Sequence, residues 1–339
     1  MTKRLDNLAT EVKHDGISIL DSGTANYTPQ AKDDIIPVNT FGHSRVNKSS
    51  LPDLEFDIPR EETVFEITPD GDNVKDIRYN LSADRPAVNE KLIFDVKADA
   101  KGEVILNYED DGKGEYKRHT EIEIRAEANA NFTLFLVQRL SEMSDSRAFV
   151  QVHCLPRSDV RVVVADSGAQ THRLDLRADL EERSLFDCQS IYFGRADEKY
   201  DYNYNLVHHG VLSQSNLLVN GALKDNARKV FRGTIDFRRG SSGSTGSESE
   251  YVTMLDDTVH NLAIPLLLCT EDNVIGNHAA SAGRLDPAMV FYVMSRGFSQ
   301  REAEKLIIAS RFSHVLDLLP NSTLKDAVLG DILQKLDEA

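Results

Sequence analysis

Between residues 90 and 280 one local texture recurs: short runs of alternating or β-branched residues joined by brief turns, with no helical period surviving for long. The runs fall at 92–96, 104–108, 121–125, 132–137, 149–153, 160–165, 185–193, 216–220 and 230–237, after a first one at 63–67. Glu121-Ile122-Glu123-Ile124-Arg125 is clean period-two alternation, the mark of a strand with one buried face. The joints carry turn formers: Ala100-Lys101-Gly102, Asp110-Asp111-Gly112, Asp166-Ser167-Gly168. A chain of this kind folds as a sandwich, a barrel or a β-solenoid. No exact repeat can be read, which disfavours a regular propeller or a hexapeptide helix and leaves sandwich and solenoid even.

The texture stops at Asp286-Pro287, an N-cap residue followed by proline at the first helical position. One helix is expected from there to about Arg296, with Gly297 as its left-handed stop. Ser299-Gln300-Arg301-Glu302 is a capping box for a second helix, carrying Ala303, Leu306, Ile307, Phe312, Val315 and Leu316. A third is expected from about Ser322, with Leu324, Val328, Ile332, Leu333 and Leu336. Ahead of the strands, residues 3–14 predict a short helix with Leu5, Leu8 and Val12 on one face, and residues 21–60, with Pro29, Pro37, Pro52 and Pro59, a loop-rich arm. Residues 240–247, GSSGSTGS, read as a flexible loop, and no Gly-Lys-Ser/Thr follows to make it a phosphate cradle. The domain division expected is therefore 1–85, a loop-rich N-terminal region with a short helix; 86–286, the β core; and 287–339, a helical unit.

Composition narrows the function. With 339 residues, 40% hydrophobic and 28% charged, the chain has enough apolar sequence for a sizeable core. A net charge of −16 argues against general nucleic-acid binding. The apolar runs are too short to span a bilayer, and residues 1–16 have no signal-peptide pattern, so a cytoplasmic protein is expected. Cys154, Cys188 and Cys269 are odd in number and far apart, forming neither a disulfide framework nor a CxxC zinc pattern.

The sequence has no GxSxG elbow, HExxH helix, EF-hand loop or Rossmann fingerprint. The densest mixed-ligand group is Cys269, Glu271, Asp272 and His278, flanking one turn; thiolate and imidazole suit iron and zinc, and a carboxylate can complete an iron site. The plain alternative is that Cys269 is core and His278 bonds a backbone carbonyl. His208-His209 is a weak pair, because adjacent strand residues point to opposite faces, and a structural role is expected. Cys154 and Cys188 read as interior thiols, and Tyr200, Tyr202 and Tyr204 as a packed aromatic ladder.

Residues 276–308, GNHAASAGRLDPAMVFYVMSRGFSQREAEKLII, closely resemble the hallmark C-terminal motif of the SufB/SufD scaffold proteins of iron–sulfur cluster assembly. The resemblance extends back through Phe231-Arg232-Gly233-Thr234-Ile235 and His208-His209-Gly210, over roughly residues 90–320. It implies a mainly β fold, a right-handed parallel β-helix, with the small C-terminal α-helical unit docking a SufC-like ABC ATPase. It also implies a second SufB/SufD-like scaffold chain, identical or paralogous, a sulfur-donor protein, and an iron–sulfur cluster held transiently. His278 falls on the motif histidine. The cluster-building paralogue carries a cysteine near positions 249–250, where this chain has Ser249 and Glu250, and flanks the histidine with glutamates, where this chain has Asn277 and Ala279. The metal set expected is thus Cys269, His278 and Glu250 or Glu271, shared between two scaffold chains. The other function classes are a carbohydrate-active or carbohydrate-binding β-helix, which the lack of Trp and of an evident carboxylate dyad argues against, and a purely structural interaction module.

Overall fold

The computed structural model describes residues 12–14, 17–19, 25–27, 51, 54–71 and 73–338. It falls into two compact units, residues 1–53 and 54–339. In the first, β1 (Val12–His14), β2 (Ile17–Ile19) and β3 (Ala25–Tyr27) form an antiparallel meander. The helix expected over 3–14 falls outside the described residues up to position 11, and its last three residues are strand β1, so the helical reading fails there. Lys13 and His14 pair directly with Ser18 and Ile17, and that pairing overrides a weak periodic signal.

In the second unit the strands are β4 (Glu61–Ile67), β5 (Val74–Leu81), β6 (Ala87–Val96), β7 (Lys101–Asp110), β8 (Lys117–Ala126), β9 (Asn131–Arg139), β10 (Asp145–Cys154) and β11 (Asp159–Asp166). They continue as β12 (Thr171–Leu180), β13 (Leu185–Gly194), β14 (Lys199–His208), β15 (Gln214–Leu223), β16 (Arg228–Phe237), β17 (Thr245–Met254), β18 (His260–Cys269) and β19 (Ile275–Gly283). Each pairs in parallel with the strand two further along. Even-numbered strands build one eight-stranded sheet and odd-numbered strands another. The result is a parallel β-solenoid, the architecture the resemblance implied. The first coil, β4 and β5, lies ahead of the expected boundary at residue 86; its charged, half-exposed strands EETVFEI and VKDIRYNL mute the apolar signal.

Inward-pointing residues of the two sheets fill the lumen: Phe94, Ile124, Phe132, Leu134, Val152, Val162, Leu176 and Tyr202 are all buried in one cluster. In the six coils from β6 to β17 one corner has a left-handed backbone, at Asp99, Asn129, Arg157, Arg183, Leu212 and Gly243. Side chains stack there between coils: Asn129 donates to Asp99 at 2.9 Å and Arg157 donates to Asn129 at 2.8 Å. Corner residues of such different types leave no repeat to read in the sequence.

The helices α1 (Pro287–Met294), α2 (Gln300–Leu316) and α3 (Ser322–Asp337) follow, as the caps predicted. Asp286 accepts from the Ala288 amide, Ser299 and Glu302 form the reciprocal capping box, and Gly297 has φ +101°. α2 and α3 bury Ile308, Phe312, Val315, Val328 and Ile332 against the outer face of the odd sheet, at Phe135, Val137, Val163, Ile191 and Phe193. α1 has no buried residue. No helix among the described residues is long and apolar enough to cross a membrane.

Candidate functional site

The solenoid ends at β18 and β19, whose outer edges have no partner strand among the described residues. Pro265 sits in mid-strand on β18, a place proline tolerates because that strand is an edge. The inner faces of this last coil form an open mouth. In-register pairing fixes which residues face in: Glu248 stands beside His278, Glu250 beside Ala280, and Phe237 beside Cys269. Gly276 lies against the Leu267 and Phe237 side chains, which places the odd-sheet partner of that level on the lumen side.

The four sequence-predicted ligands occupy distinct places. His278 is exposed on the inner side of β19. Cys269 is exposed at the end of β18, with burial and then Asp236 pushing its thiol above the ordinary value. Glu271 braces the β18–β19 turn: its carboxylate accepts from the Gly240 amide at 3.0 Å and the Asp272 amide at 3.2 Å, bonds that hold it below the usual carboxylate range, the Gly240 contact most. Glu250 is enclosed, ion-paired to Lys229 and accepting from the Tyr192 hydroxyl at 3.3 Å. Across the lumen Gly276 meets Leu267, so His278 stands level with Pro265. Cys269 is four residues further along β18, on the order of 13 Å away. Within one chain the structure therefore brings Cys269 and Glu271 to one end of the mouth and His278 and Glu250 to its middle. No three His, Cys, Asp or Glu among the described residues group closely enough to hold a metal ion.

Sequence reading missed Glu248 and Lys229. Glu248 is buried on the same strand face as Glu250, against the bare Cα of Gly233, and neither of its carboxyl oxygens has a hydrogen-bond partner among the described residues. Burial, then the neighbouring Glu250, pushes it up to about 8. The alternation Glu248-Ser249-Glu250 is a period-two signal. It is obscured because Thr245-Gly246-Ser247, expected in a loop, opens β17; the turn itself spans only the residues before Thr245.

The remaining candidates are structural, as expected. His208 points inward, its nitrogens 2.8 Å from the Ser213 and Ser215 hydroxyls and its ring stacked on Phe237. His209 points outward to Asp179 at 2.9 Å. At Gly210 a side chain would strike the Glu181-Glu182 backbone of the preceding coil. Tyr200, Tyr202 and Tyr204 stack in the lumen, and Cys154 and Cys188 are buried thiols raised by burial. Burial, with His209 adding, holds His208 down at about 4. The unfolded chain binds this proton first, so stability is intact above pH 6.5 and falls as pH drops towards 4, by about 3 kcal/mol in full. Urea unfolding across that range should show the slope, and His208→Gln should flatten it; an unchanged slope excludes His208 as its source.

Residues 79–311 match the protein family described as SUF system FeS cluster assembly, SufBD core domain. Among curated proteins, the iron–sulfur cluster assembly protein SufD of Bacillus subtilis is 33% identical over 150 residues, 44% of this chain and 34% of the relative. The protein of the same name from Escherichia coli is 27% identical over 155 residues, 46% of this chain and 37% of the relative. A SufBD family protein of Mycobacterium tuberculosis is 24% identical over 139 residues, 41% of this chain and 16% of that protein. The matched stretch thus spans about a third or less of the relatives' length.

Proposed function

The chain belongs to the SufBD core family of SUF-system iron–sulfur cluster assembly proteins, and on that premise we propose that it is a non-catalytic scaffold subunit. It works with a SufC-like ABC ATPase and a second scaffold chain to build and hand on a nascent cluster. The observation that carries this reading is α1. A helix of sequence PAMVFYVM stands with Phe291 72% exposed and Met289, Tyr292 and Met294 open beside it, a patch that needs a protein partner. The ATPase docks there. Arg301 and Lys305 of α2 are both tied to Asp337 of α3, so they serve the helical pair first.

The second scaffold chain adds its mouth to the open edges of β18 and β19, where unpaired backbone groups await a strand. Cys269 and His278 of each chain supply thiolate and imidazole to the cluster, with Glu250 or Glu271 as the oxygen donor. The cluster is cargo: incomplete thiolate ligation lets it leave. Sulfur arrives from a donor protein, and the whole operates in the cytoplasm.

Phe291→Asp with Tyr292→Asp should lower affinity for the ATPase roughly thirtyfold or more while the melting temperature stays put. Unchanged affinity refutes docking on α1. Anaerobic reconstitution tests the ligands: Cys269→Ser and His278→Ala should each bind less iron and sulfide than the unaltered chain. Equal binding by both removes them from the site.

A further inference from the structure

Inside the mouth, one buried carboxyl group has no partner among the described residues. Glu250 has Lys229 and the Tyr192 hydroxyl. Glu248, two residues earlier on the same inner face, is equally buried and has no hydrogen-bond partner at either oxygen. A buried carboxyl group left without a hydrogen-bond partner is costly and calls for an explanation. Its in-register neighbour on the lumen side is His278, exposed at the open end of the solenoid. An unpartnered carboxyl group, which gives up its proton to a divalent cation, and an adjoining imidazole reachable from solvent are the two halves of a divalent transition-metal site. Lys229 is committed to Glu250.

We propose that Glu248 and His278 of one chain capture a divalent first-row transition-metal ion at the solenoid mouth. The geometry favours passage over storage: two protein donors leave the other coordination positions to water and to an incoming ligand. Cys269, at the far end of β18, takes no part in this first capture. That the ion is ferrous iron bound for a cluster rests on the function proposed above; that a metal binds at Glu248 does not.

Co²⁺, whose visible absorption reports its ligands, is the probe, titrated anaerobically into the full chain. Wild type and Cys269→Ser should bind with equal affinity and give a spectrum free of thiolate charge transfer. Glu248→Gln and His278→Ala should each weaken binding roughly tenfold or more. Glu248→Gln removes the ionisable group while keeping the volume, and its melting temperature reports folding. Equal Co²⁺ affinity in Glu248→Gln, no binding by wild type, or a thiolate band lost in Cys269→Ser each overturns the assignment. Reconstitution of Cys269→Ser with iron and sulfide tests the cluster reading separately, so either can fail while the other stands.

Discussion

Lys229→Met should destabilise the folded chain by about 3–5 kcal/mol, the usual cost of stripping one partner from a buried ion pair. Lys229 and Glu250 are both essentially inaccessible, and the ammonium also lies 5.3 Å from the centre of the Phe231 ring. Burial alone pulls Lys229 below its ordinary value, while Glu250 beside it favours the charged form. Methionine fills similar space but leaves Glu250 with only the Tyr192 hydroxyl. Adding Glu250→Leu should recover most of the loss, since a pair replaced whole by apolar groups is near neutral. Urea unfolding of wild type, both single variants and the double variant gives the coupling directly. A loss below about 1 kcal/mol in Lys229→Met means the pair is looser or wetter than its geometry indicates.

Glu248→Gln should have the opposite sign. With Glu248 pushed up to about 8 from its ordinary 4.5, the folded chain holds this proton more tightly than the unfolded one. Its burial therefore costs nothing at low pH, an increasing amount from about pH 4.5, and the full amount above about 8. Removing the ionisable group should stabilise the protein by about 3 kcal/mol at pH 7 and nearly 5 kcal/mol at pH 9, with no gain near pH 4. Melting temperatures in chelator-treated buffer at these three values test it. A gain that does not depend on pH would assign the effect to packing.

How far the sequence carried can be judged at particular residues. The helix starts at Pro287, Gln300 and Ser322 were legible because caps are local: Asp286, Ser299 and the turn before Ser322 each satisfy amides a few positions away. The opposite facing of His208 and His209 followed from period two alone. Solenoid over sandwich did not, because parallel in-register stacking is a relation between residues a full coil apart, and the corners satisfy it with Asp, Asn, Arg, Leu and Gly alike. The site was half legible. Cys269 and His278 were found by residue type, but their separation depends on which level of β18 faces which level of β19. Glu248 was hidden because its strand begins in a Gly/Ser-rich stretch that composition reads as loop. Gly246 is there for space, against Ile235 and Phe237 in the lumen.

The stack of coils has a thermodynamic corollary. Apart from the α2–α3 cover on the odd sheet, each coil rests on its two neighbours, so cooperativity runs mainly along one axis, and opening begins where a neighbour is missing. The pair β18 and β19 has a neighbour on one side only. Its amides should exchange with deuterated water well before those of β10 to β13, and a second molecule seated on that end would slow them first. Cys269, Glu271 and His278 thus ride on a segment that loosens without melting the rest, and closure of an assembled pair would be recorded as a change in exchange rate confined to residues 260–283.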